Sequence, residues 1–212
     1  MIRYLVAVLF LFVSFMAVCQ DQPEADMMKA WQEYMTPGEM HQMLSNMVGE
    51  WNSEITMWMD PSQEPTKSTG TSEIKAIFDG RYFQAEHKST MMNMPMTGYE
   101  LSGYDNAKKK FFSTWIDNFG TGIMYLEGSY DSDSKTITYK GVSTDPLGND
   151  VKVRETVNYI DKDNVYFEMF MEQSGQEFKS MEIKFKRKLQ SHLEINNEAA
   201  KNSELLDFAF HI

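Results

Sequence analysis

Between residues 49 and 188 the side chains of this 212-residue sequence change character at every second position, in about ten short segments separated by turn dipeptides. A period of two is the signature of strands with one face buried. Expected strands are residues 51–59, 69–78, 81–90, 97–105, 110–118, 123–130, 135–143, 151–160, 165–172 and 177–187. Asp79-Gly80, Asp105-Asn106, residues 131–134 and 161–164, and Ser174-Gly175 stand between strands and supply the positive φ or side-chain turn bonds that hairpins need. No segment among them is long and helical enough for a parallel crossover. Ten sequential antiparallel strands do not stay flat and open, so the expected fold is all-β: an antiparallel up-and-down barrel with short N-terminal helices as lid or plug.

Alternation also sorts the strand faces. Gln84, Glu86 and Lys88 suit water, which sends Phe83, Ala85, His87 and Ser89 inward. Glu155 shares the parity of Val151, Val153, Val157 and Tyr159, although a register slip would put Arg154 there instead. On the last strand Phe178 has one parity and Met181, Ile183 and Phe185 the other, which calls for a bulge.

Ahead of the strands, Met27, Trp31 and Tyr34 or Met35 recur at helical spacing after a polar leader of residues 20–25. Thr36-Pro37-Gly38-Glu39 then reads as an N-terminal cap, with the threonine hydroxyl accepting an orphan amide, and Met40, Met43, Leu44 and Met47 follow as a core-packing stripe that ends at Gly49. Earlier still, Arg3 precedes an apolar run too short to span a bilayer, the layout of a secretory signal over residues 1–19. Ala17 and Cys19 fit cleavage before Gln20; a lipid anchor on Cys19 is the alternative, with Val18 a poor match to the lipobox. The expected protein is therefore periplasmic or secreted, with no membrane span after processing and no thiol if Cys19 is removed. Residues 20–48 form leader and helices, 49–188 the barrel and 189–212 a tail.

Lys and Arg number 20 against 31 Asp and Glu, a net charge of -11 that repels nucleic acid. One cysteine excludes a disulfide framework and a multi-cysteine zinc site. No nucleophile elbow, P-loop or dinucleotide fingerprint occurs. The three lysines at 108–110 read as solvated edge charges.

Gly49-Glu50-Trp51, Met57-Trp58-Met59-Asp60, Gly80-Arg81-Tyr82-Phe83, Met91-Met92-Asn93-Met94-Pro95, Gly103-Tyr104-Asp105-Asn106 and the run from Ser113 through Trp115 to Gly122 form one assembly. It resembles an uncharacterised family of bacterial exported proteins carrying a domain of unknown function, among the calycin-like (lipocalin- and nitrobindin-like) barrels. The resemblance covers residues 37–188 and implies a G-x-W tryptophan on the barrel floor under a helix. It implies no activity. Nitrobindin-like barrels hold haem on a late-strand histidine, and here none lies between His87 and His192, so haem is not carried over and no cofactor is expected.

The expected function is binding of a small hydrophobic or amphipathic molecule inside the barrel, lined by Trp51, Trp58, Phe83, His87, Thr114, Trp115 and Asp117. The alternative is an isomerase or hydrolase using His87 with Asp117 or Glu155 as acid and base. A lesser alternative is Cu(I) held by Met91, Met92, Met94 and Met96; the competing reading is pliable thioethers at a cavity mouth, and no metal is expected.

Overall fold

The computed structural model describes residues 22–173 and 175–188. The expected signal with Cys19, and the tail 189–212, lie outside them. Two helices, α1 (Gln22–Met35) and α2 (Glu39–Ser45), precede ten strands: β1 (Gly49–Met57), β2 (Thr66–Ile77), β3 (Tyr82–Met91), β4 (Met94–Asp105), β5 (Lys110–Asp117), β6 (Met124–Asp131), β7 (Thr136–Thr144), β8 (Asp150–Asp161), β9 (Asn164–Gln173) and β10 (Gln176–Arg187). Each strand pairs antiparallel with its sequence neighbours, and β1 with β10 closes the cylinder. This is the expected up-and-down barrel. No described helix is long and apolar enough to cross a membrane.

The bulge falls where the parity demanded it, between Lys179 and Met181. Below it Phe178 faces Met171, and above it Ile183 faces Phe167, so apolar residues stay inside despite the change of parity.

One helix boundary departs from expectation. The Thr36 hydroxyl donates to the Gln32 carbonyl at 2.6 Å, so it closes the end of α1 instead of capping α2. Gly38 takes the N-cap position, and its N–H donates to His41 Nδ1 at 3.1 Å. The polar leader likewise becomes helical, since α1 starts at Gln22.

The end of the barrel at which β1 begins is packed solid. Leu44 of α2 joins Phe83, Phe111, Leu126, Ile137, Tyr139 and Val153 in the core cluster, with Met40 and Met43 against it. The apolar stripe therefore forms a plug. Beside it Trp51, 1% exposed, donates its indole N–H to the Met47 carbonyl at 2.8 Å. The Arg187 guanidinium lies 4.2 Å above the Trp51 ring, hydrogen-bonds the Val48, Lys162 and Asn46 carbonyls and pairs with Asp163 at 3.3 Å. One arginine thus fastens the last strand to the α2–β1 connection through charge-assisted contacts.

Candidate functional site

Above the floor the interior becomes polar, and a tight turn decides which residues enter it. Met92 and Asn93, at φ 52° and 62°, make a two-residue hairpin loop. That loop pairs Met91 with Met94, and hence His87 with Gly98 and Ala85 with Glu100. Directly opposed residues share a face, so Gly98, Glu100 and Ser102 point inward. Tyr99 and Leu101, 41% and 36% exposed, lie outside.

His87 Nδ1 is 2.8 Å from the Ser72 hydroxyl. Its Nε2 is buried, has no hydrogen-bond partner and faces Glu100 Oε2 at 3.7 Å, an ion-pair separation beyond hydrogen-bond reach. The Trp115 ring stands 5.4 Å from the imidazole and lies over Gly98, where any Cβ would overlap its indole. Trp115 is held by its indole N–H, which donates to Asp117 Oδ2 at 2.7 Å. The other carboxylate oxygen of Asp117 accepts the Phe119 and Gly120 amides at 2.9 and 3.0 Å. Asp117 therefore does two structural jobs: it builds an Asx turn and orients the tryptophan.

Glu100 shows that the interior is hollow. It faces inward, directly opposite Ala85 and Trp115, and yet 31% of its side-chain surface is open to water. An inward side chain with that much accessible surface borders unfilled space. Burial works against its ionisation, but His87 and the Ser102 and Ser113 hydroxyls outweigh burial and hold its pKa below the ordinary value. Glu155, 8% exposed on β8, is the reverse case. Burial first, then the negative charge of Glu100, push its pKa up to about 8. Burial also raises the phenols of Tyr139 and Tyr159, with Glu100 adding to the shift of each. At neutral pH one interior carboxyl is ionised and the other keeps its proton, the condition that separates acid from base roles.

The residues expected from sequence divide between the two faces. Phe83, His87, Trp115 and Asp117 face the interior, Phe83 within the packed core. Trp51 is the floor itself, its ring covered by Arg187. Thr114 contradicts its expectation: it alternates with Trp115, stands opposite Leu101 and Tyr125 on the outer face, and hydrogen-bonds the Leu101 backbone. Trp58 lies past the end of β1, beside the Lys179 ammonium at 5.1 Å, and Lys179 belongs to an outer-face cluster with Glu182 and Glu168. The carboxylate beside His87 is Glu100, which the sequence reading had missed. Asp117 is occupied by Trp115 and the turn amides.

Arg154 points outward, stacking on Phe170 at 3.8 Å and pairing with Glu177 at 2.6 Å, which confirms the register that puts Glu155 inside. Met92 and Met94 at the hairpin tip are exposed, and Met91 and Met96 are half-buried. Among the described residues, no three His, Cys, Asp or Glu side chains gather as a metal-holding group.

The sequence profile of a family described as protein of unknown function (DUF1579) matches residues 36–187. No curated protein matches the chain. Among solved structures, Rv2717c from M. tuberculosis is 12% identical and superposes with a TM-score of 0.56, covering 73% of this chain and 100% of its own. An S-type phycobiliprotein lyase, CPES from Guillardia theta, is 10% identical with a TM-score of 0.53, covering 71% of this chain and 93% of its own. At these identities the likeness is one of fold. The resemblance read from the sequence motifs is borne out in its family of unknown function and its closed barrel.

Proposed function

For a chain that belongs to the DUF1579 family of proteins of unknown function, we propose an exported binding protein that holds one small apolar or amphipathic molecule inside its barrel. The observation that carries this reading is the enclosed yet water-accessible Glu100. A barrel serving only as a scaffold would fill that space, because interiors pack to crystal-like density. Trp115 and Phe185 beside His87 supply apolar wall, and His87 Nε2 and Glu100 supply the few polar groups that orient a ligand.

The test is native mass spectrometry of the protein purified from its own host. A complex heavier than the bare chain by one small molecule, lost on denaturation, is expected. A bare chain in every preparation, together with no binding of any apolar probe, refutes the reading. Export is part of the proposal: it rests on Arg3 and the apolar run behind it, and the same spectrum reads the mature N-terminus. A chain starting at Gln20 supports cleavage, a lipid-modified Cys19 the anchored form, and an intact Met1 removes export.

A second reading, acid–base catalysis, is favoured by the opposed environments of two inward carboxyls: burial pushes the Glu155 pKa up to about 8, while His87, Ser102 and Ser113 hold that of Glu100 below the ordinary value. It would use Glu155 as acid and Glu100, beside His87, as base.

A further inference from the structure

The inward-facing positions of the ten strands carry a lopsided set of charges. Two carboxyls, Glu100 and Glu155, stand in the middle of the barrel, and Asp117 stands nearer the open end. The one inward arginine, Arg187, is spent at the floor on Asp163, three carbonyls and the Trp51 ring. No lysine occupies an inward position among the described strands. Besides that arginine, the imidazole of His87 is the only inward side chain on the described strands that can carry positive charge, and the one carboxylate it faces is Glu100.

Glu155 is also without a partner. It is 8% exposed, and no described side chain or backbone group hydrogen-bonds its carboxyl. The phenol of Tyr139, on a side chain 4% exposed and directly opposite Glu155, has no partner either. Buried polar groups are normally paired, and groups left open around a cavity mark what a ligand completes. Here the open groups are carboxyl and phenol oxygens, all of them acceptors for an ammonium N–H.

We infer that the chamber is selective for a cationic amphiphile: an ammonium group on an apolar or aromatic body, its nitrogen held among the inward carboxyls Glu100 and Glu155, its body toward Trp115 and the open end. This rests on the reading of the interior as a ligand chamber. An anionic amphiphile of the same shape meets the Glu100 carboxylate and is rejected, since like charges brought together in a low dielectric repel strongly.

The occupant also moves a proton. Opposite Glu155 stand Tyr139 from β7 and the uncharged Met169 from β9, and the charge that acts on it is that of Glu100 from β4. A nearby ammonium favours the ionised carboxyl, so binding releases the Glu155 proton at pH values below about 8, and affinity rises as pH increases toward that value.

Three probes with one body and different heads test this: octylammonium, octanol and octanoate, titrated calorimetrically into the purified mature protein near neutral pH. The expected order is octylammonium first, by about tenfold or more over octanol, with octanoate weakest. Glu100→Gln is expected to lower octylammonium affinity about tenfold and narrow the gap to octanoate. Should that variant not fold, wild-type titrations in two buffers of different ionisation enthalpy read the released proton directly. Octanol or octanoate binding as tightly as octylammonium, or no proton release, overturns the cationic preference and leaves the chamber standing. Failure of all three probes removes the chamber itself.

Discussion

Glu155→Gln should flatten the alkaline side of the stability profile. Glu155 carries a pKa raised from 4.5 to about 8 in the folded barrel, by burial and then by Glu100. Below about pH 4.5 the group is protonated in both folded and unfolded chains and adds no pH dependence. From there to about pH 8 the unfolded chain ionises while the folded chain keeps its proton. The folded state then binds more protons, so stability falls as pH rises. At roughly 1.4 kcal/mol per pH unit the complete loss is about 5 kcal/mol, of which about 4 kcal/mol falls between about pH 5 and pH 8.5.

Glu100 works in the opposite sense: its pKa is lowered on folding, so its contribution is present above the ordinary carboxyl range and fades as pH drops through its folded value. Stability should therefore peak on the acid side of neutrality. Glutamine mimics the protonated Glu155 in shape and donors, so the variant should match the wild type near pH 5 and exceed it near pH 8.5. Urea unfolding followed by tryptophan fluorescence across that range measures both. Parallel profiles for the two proteins would refute the burial and charge argument for Glu155.

Trp51→Ala removes the floor, leaving a cavity and an unpaired Met47 carbonyl, and should cost about 3–5 kcal/mol in denaturant unfolding; Trp51→Phe, which refills most of the space, should cost clearly less. Gly98→Val drives a side chain into the Trp115 indole. It should lower stability by about 1–3 kcal/mol and change the near-ultraviolet circular dichroism of the tryptophan, and an unaltered spectrum would show that the ring does not rest there.

The sequence disclosed the barrel because its information was periodic and redundant: ten segments, each separated by a turn, and a parity change at Lys179–Met181 that admits only a bulge. The floor was legible for the same reason, since Trp51 follows a capped, striped helix. The polar interior was harder to read, because β4 reverses the usual rule. Hydrophobicity would turn Tyr99 and Leu101 inward, yet it is Gly98, Glu100 and Ser102 that face the cavity. The signal was present in another form. Counting back from the two-residue loop at Met92 and Asn93 fixes Glu100 beside Ala85, whose inward direction the β3 pattern had already settled. Thr114 lies on the outer face because it alternates with the inward Trp115, and adjacent strand residues cannot share a face. Trp58 lies beyond the end of its strand, where parity no longer speaks.

The division of the barrel into a filled end and a hollow middle is itself an argument about function. Along one hydrogen-bonded row the inward residues are Phe83, Ser102, Ser113, Leu126, Gly141 and Val153. Leu126 and Val153 show that such positions take bulky apolar side chains when the space is to be filled. Ser102 and Ser113 instead give their volume up and support the charge on Glu100. Glu155 holding its proton, Tyr139 without a partner and the orphan His87 Nε2 all lower stability against an apolar packing of similar shape. The floor offsets that cost: Arg187, Trp51 and the α2 plug anchor both ends of the sheet where it closes, so the middle is free to keep unsatisfied groups around an open space. Filling the hollow with Glu100→Leu and Glu155→Leu together should relieve those costs and raise the urea midpoint near pH 8.5, and a double variant no more stable than the wild type would refute the cost assigned to the polar interior.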